Sequence, residues 1–260
     1  SAREYISVLS GMTNHPRAAE VTYRIGDSYR QLNQTGKASD YFLKTESGFP
    51  SSPFRFKAAL RRAEILDSAN SMNELFVLLD STLAANPPRD IAASALYLQG
   101  SALGRTGKKD VAAVSYERII REYSDTQIHT YALLALGGLR AAEQDGAGKA
   151  LELYRTATVN PATPRVGAEA WFQMASILFQ QKAYARSADA FDKLFDLYPS
   201  DSRVNEARLP RAWALFHARM PADALRQVEL AAAATNGSAH AEELLYLKAN
   251  CQRQLMKPAD

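Results

Sequence analysis

Apolar positions return at helical spacing along almost the whole chain. Between Glu20 and Pro50, Ile25, Gly26 and Tyr29 fall on one face of a first helix, and Ala38 and Phe42 on one face of a second. Asn33-Gln34-Thr35-Gly36 between them supplies residues that tolerate the left-handed conformation and reads as the turn. The unit then repeats. Small residues stand at Gly26, Ala63, Gly100, Gly138, Ala175, Ala212 and Ala249, at intervals of 37, 37, 38, 37, 37 and 37. Ala38, Leu75, Ala112, Ala150, Ser187 and Ala224 keep step with them, and Phe42, Leu79, Tyr116, Tyr154, Phe191 and Val228 follow four residues later. Self-similarity at such a period marks a solenoid of stacked helix pairs. The expected fold is all-α, with 13 to 15 antiparallel helices and no β-sheet. A helical glycine costs about 1 kcal/mol relative to alanine. Its return at one phase therefore implies a close helix crossing, matched by Ala38 and its counterparts on the second helix, with Phe42 beside it.

Two stretches carry a resemblance. Ile25-Gly26-x-x-Tyr29, Ala38-x-x-x-Phe42 and Pro50 form one; Trp171-x-x-Met174-Ala175-x-x-Leu178, Tyr184, Ser187-x-x-x-Phe191 and Pro199 form the other. Together they resemble the tetratricopeptide repeat, and the likeness extends over nearly the whole chain. It implies a right-handed superhelical solenoid whose first helices line a concave groove. The unit around Ala63 and Leu75 departs most, lacking the aromatics and carrying Arg62 where an aliphatic residue is usual. The period exceeds the usual ~34 residues. The excess falls in linkers between units, where Ser52-Pro53 and Thr163-Pro164 read as an N-cap with proline at the first helical position. The linker Tyr198-Pro-Ser-Asp-Ser202 before Asn205-Glu206-Ala207 resembles those of bacterial envelope repeat proteins. Those are of the β-barrel assembly lipoprotein and Tol–Pal accessory type. That likeness implies a periplasmic or outer-membrane-associated protein, with a cytoplasmic one as the alternative.

The expected organisation is one solenoid over residues 1–260, with repeats at about 19–52, 56–89, 93–126, 131–164, 168–201 and 205–238. Residues 1–15 read as the second helix of a preceding unit, so the chain reads as an excised fragment, and 239–257 as a C-terminal capping helix.

Charge and chemistry narrow the function. With 31 basic and 28 acidic residues and no dense Lys/Arg block, nothing points to nucleic acid. No apolar run is long enough to insert in a membrane. The four histidines, His15, His129, His217 and His240, fall in different units, and Cys251 is the single cysteine. No metal-ligand spacing, phosphate-cradling loop or nucleophile elbow occurs. No catalytic, cofactor or metal residue is expected, and the chain does not read as an enzyme.

The candidate chemistry is recognition. Three residues before each small position stand Tyr23, Leu60, Tyr97, Ala135, Phe172, Leu209 and Tyr246. The resemblance places this face on the groove and adds Asp27, Arg30, Glu64, Ser101, Arg105, Ser176, Phe179, Trp213, Phe216 and Asn250. Aromatic anchors with interspersed Arg suit an extended or helical peptide; the same rings could instead pack between repeats. The Lys/Arg/Asn set with which some family members clamp a chaperone's C-terminal carboxylate is not matched, since these faces carry Tyr, Leu, Asp and Glu. The expected function is a non-catalytic scaffold that binds a peptide segment of a protein partner. The alternatives are a structural array forming a homo-oligomer or larger assembly, or a regulatory module of a larger enzyme or sensor.

Overall fold

The computed structural model describes residues 15–234 and 240–256. The helix expected over residues 1–15 lies almost wholly outside them. The described residues form thirteen helices and no strand. In chain order these are α1 (Ala18–Gln31), α2 (Thr35–Gly48), α3 (Phe54–Ser68), α4 (Met72–Ala84), α5 (Arg89–Arg105), α6 (Lys109–Glu122) and α7 (Ile128–Ala141). They continue with α8 (Ala147–Val159), α9 (Pro164–Gln180), α10 (Tyr184–Leu197), α11 (Arg203–His217), α12 (Pro221–Ala234) and α13 (Ala241–Leu255). Odd-numbered helices are the first members of each pair. The chain divides into two compact units, Ser1–Ala132 and Leu133–Asp260, with the boundary inside α7.

Five of the six turns within pairs share one construction. Asn33, Asn70, Gly107, Lys182 and Arg219 each take a positive φ, between 56° and 81°. The next residue's N–H reaches back to the last helical turn, as from Gln34 to the Tyr29 carbonyl and from Lys108 to that of Leu103, both at 2.9 Å. This is the Schellman ending, which satisfies carbonyls the helix would otherwise leave unpaired. Gly36, expected in the first turn, already lies inside α2. Lys182 and Arg219 adopt the left-handed conformation without the relief glycine provides. The exposed Lys182→Gly change should therefore raise the free energy of unfolding by about 0.5–1 kcal/mol, read as a higher urea midpoint at an unchanged slope.

Between pairs, Thr163 caps α9, its hydroxyl accepting the Val166 N–H at 3.3 Å with Pro164 at the first helical position. At α3 the start falls one residue later than expected: Pro53 flanks the helix, and the Ser52 hydroxyl accepts the Phe54 N–H at 3.3 Å.

The close crossings are present, and they correct the register of one unit. At Gly26 and Gly100 a β-carbon would come within 2.8 Å of the rings of Phe42 and Tyr116. In the α7–α8 pair the crossing residue is Gly137, where a β-carbon would lie 2.6 Å from the Tyr154 ring. The expected Gly138 is exposed, and nothing nearer than 3.8 Å faces it. The extra residue of the 38-residue interval therefore sits inside this pair's turn. Ala150 follows Gly137 by 13 residues, where the other units have 12. That turn also lacks a positive φ; Gly146 is required there because a β-carbon would collide with the Arg140 carbonyl oxygen. The position three before the crossing is accordingly Leu134, not Ala135.

The partners of the small residues follow from size. The three glycines lie under aromatic rings, whereas Ala63 and Ala212 share core clusters with the smaller Leu79 and Val228. Ala175 packs with Phe191, and the Ser187 hydroxyl donates to the Ala175 carbonyl at 2.8 Å. In the departing unit Leu75 is fully buried at the crossing, and α3 and α4 are less closely apposed than α1 and α2, α5 and α6, α9 and α10, or α11 and α12. Arg62 is accommodated by a half-buried ion pair with Glu46 of α2 at 2.8 Å. Burial pushes the Glu46 carboxyl up despite the opposing effect of Arg62.

Candidate peptide-binding grooves

In the N-terminal unit a concave site of about 560 Å³ is lined entirely by first helices. Tyr23 and Arg24 come from α1; Phe54, Lys57, Leu60, Arg61 and Glu64 from α3; Ile91, Ser94, Tyr97 and Leu98 from α5; and Ile128 from α7. The arrangement follows from the crossing. Gly26 and its equivalents turn one face of each first helix onto its partner, and residues three positions earlier lie about 60° round the helix at the edge of that face, where they reach both the site and the second helix. Tyr23 is nearly buried, its ring 5.6 Å from both Phe42 and Phe54. Tyr97 packs on Tyr116 and Tyr131 at 5.7 and 6.2 Å, and burial raises its hydroxyl pKa. These rings both line the site and hold neighbouring helices together.

The other residues expected on this face are engaged with each other. Asp27 binds Arg30 at 3.0 Å and Glu64 binds Arg61 at 2.8 Å. Arg105 pairs with Asp67 of α3 and donates to the Ser101 hydroxyl at 3.1 Å. Periodicity alone missed Arg24, Phe54, Lys57 and Ser94. Phe54, Lys57 and Arg61 are spaced by three and four residues beside Leu60 and Glu64, so carrying the helical spacing back to the start of α3 would have found them.

The C-terminal unit has a second site of about 570 Å³. Ser176 and Phe179 of α9, Leu209 and Trp213 of α11 and Glu243 of α13 contribute to its lining. Trp213 is half-buried, and its indole N–H donates to Glu243 at 2.7 Å. Its position is held by an aromatic cluster. The His217 imidazole stacks on Trp213 at 5.6 Å and on Tyr184 at 4.7 Å, with Phe179 and Phe216 edge-on. Sequence reading weighed His217 only as a metal ligand; its place four residues after Trp213 is the signal for this role. Tyr246 is exposed, with its ring 6.2 Å from that of Trp213, and Asn250 donates to the Tyr246 carbonyl. Phe172 lies apart, packed edge-on against Phe191 at 6.0 Å and lining a smaller polar hollow with Arg165, Glu169 and Arg203. Among the described residues no group of three or more His, Cys, Asp or Glu side chains could hold a metal ion, and no helix is long and apolar enough to cross a membrane.

Tetratricopeptide-repeat family models match residues 19–44, 94–126 and 132–202. The chain carries tetratricopeptide repeats. Solved structures built from such repeats share its fold. PilF of Pseudomonas aeruginosa is 17% identical with a TM-score of 0.65, covering 88% of this chain and 97% of that one. YrrB, described as a TPR protein with an unusual peptide-binding site, is 14% identical with a TM-score of 0.51, covering 77% and 95%. A chain of the Cut9–Hcn1 assembly of the APC/C is 15% identical with a TM-score of 0.58. The match covers 95% of this chain but only 46% of that one, so this chain spans less than half its length. No curated protein matches in sequence.

Proposed function

We propose that this protein is a non-catalytic interaction scaffold whose first-helix grooves hold a peptide segment of a partner protein. The observation that carries the reading is the N-terminal groove, every lining residue of which comes from a first helix and which combines aromatic and aliphatic walls with exposed cations. A site with apolar anchors and a few convergent polar groups suits a peptide better than a small metabolite, because it runs across successive helices instead of closing around a ligand. The peptide-binding site named for YrrB agrees with this use of the repeats. The resemblance of the Tyr198–Ser202 linker favours a partner in a bacterial cell envelope, periplasmic or at the outer membrane.

The test is affinity capture from native extract with the full chain and with Ser94→Trp. Ser94 lines the groove floor, and an indole there would fill the groove while leaving the crossing contacts alone. A partner retained by the native chain and lost with Ser94→Trp supports the reading. Equal capture by both places recognition outside this groove and favours the array alternative.

A further inference from the structure

We propose that the N-terminal groove selects an extended peptide bearing acidic side chains between apolar ones. The inference rests on the peptide-scaffold reading and adds the chemistry of the partner.

The charges around the groove are unequal. Of its lining residues Arg24, Lys57 and Arg61 are cationic and only Glu64 is anionic. Glu64 is already committed, taking both of its hydrogen bonds from Arg61 at 2.8 Å. Lys57 has an exposed side chain whose ammonium lies 5.0 Å over the Phe54 ring, and among the described residues no carboxylate is paired with it. Arg24 is 51% exposed, and its ion pair with Glu20 of the same helix is a loose one, at 3.8 Å. Two cations thus face the groove with little neutralisation, on adjacent first helices beside the apolar walls of Tyr23, Phe54 and Leu60. Opposite charges on a bound segment would complement them, and a basic segment would be repelled.

The second groove supplies a contrast within the same chain. There Glu206 and Glu243 stand against Arg208 and His240, and Trp213 already spends its donor on Glu243. No surplus of cations exists, so the acidic preference belongs to the N-terminal unit.

Length sets the size of the segment. Packed helices lie about 8–10 Å apart, so a groove crossing α1, α3, α5 and α7 runs roughly 27 Å, or about eight extended residues. The expected ligand is a stretch of that length with carboxylates near Arg24 and Lys57 and apolar side chains against Tyr23, Leu60 and Tyr97.

Fluorescein-labelled peptides of about twelve residues, with fixed Leu and Phe positions and the rest Glu, Lys or Ser, provide the probes for anisotropy titrations of the full chain. The Glu set should bind about tenfold more tightly than the Lys set at about 50 mM salt, with the gap narrowing at about 150 mM as screening increases. Arg24→Glu combined with Lys57→Glu should abolish or invert the preference while keeping native helix content, since both side chains are exposed. Equal binding of the three sets, with no change on double reversal, overturns the acidic preference. If Ser94→Trp still weakens all three sets in that case, the groove reading survives without it. If Ser94→Trp changes nothing, both fall. Binding by none of the sets also overturns the inference.

Discussion

Replacing Gly137 with leucine should destabilise the protein by about 1–3 kcal/mol, whereas alanine at the adjacent Gly138 should stabilise it by about 1 kcal/mol. The opposite signs come from geometry. The Tyr154 ring lies so close to Gly137 that even a β-carbon would meet it at 2.6 Å, and a leucine would force α7 and α8 apart. Tyr154 cannot swing aside cheaply, because its ring is buried in the core. Gly138 is exposed, and its β-carbon would find only ordinary contact at 3.8 Å. Alanine there removes the glycine penalty without adding crowding. Urea unfolding of the two single variants reads both effects as shifts of the midpoint at constant slope. Loss of stability at Gly138 with tolerance at Gly137 would return the crossing to Gly138, the residue the sequence alone suggested.

Truncating Tyr23 and Tyr97 together should weaken binding of a captured partner by more than about a hundredfold, if both rings anchor it and the losses add. The structure makes the control as important as the measurement. Tyr97 is packed on Tyr116 and Tyr131, and Tyr23 on Phe42 and Phe54, so each change to alanine should also cost roughly 2–4 kcal/mol of stability. Affinity is therefore to be measured by calorimetry at a temperature where circular dichroism shows both proteins fully folded. A large loss under those conditions identifies the rings as anchors. Unchanged affinity would move the contact away from these faces. A loss that disappears when the folded fraction is matched would leave the rings as packing residues between repeats.

The grooves were only partly legible in the sequence. Tyr23, Leu60, Tyr97, Phe179, Leu209 and Trp213 share a periodic face, and each lines one of the two larger sites. The cations that give the N-terminal groove its character, Arg24 and Lys57, do not repeat from unit to unit. They became visible only when the helices were side by side. Asp27 and Arg105 sat on the expected face, but periodicity carries no information on pairing. Their engagement with Arg30 and Asp67 depends on side-chain reach within and between helices.

For the fold, the sequence by itself determined the helix pairs and their interval. A small residue repeated every 37 positions, with a large one following on the next helix, has few packing solutions, and turn residues mark where each helix must stop. Tertiary structure alone decided which of two adjacent glycines meets a ring and how a leucine fits at the crossing of α3 and α4. It also decided how Glu46 makes room for Arg62. The reason is physical. Spacing records direction around a helix to within a residue, whereas a crossing is decided by contacts of a few tenths of an ångström, and charge pairing by side chains that reach across from other helices.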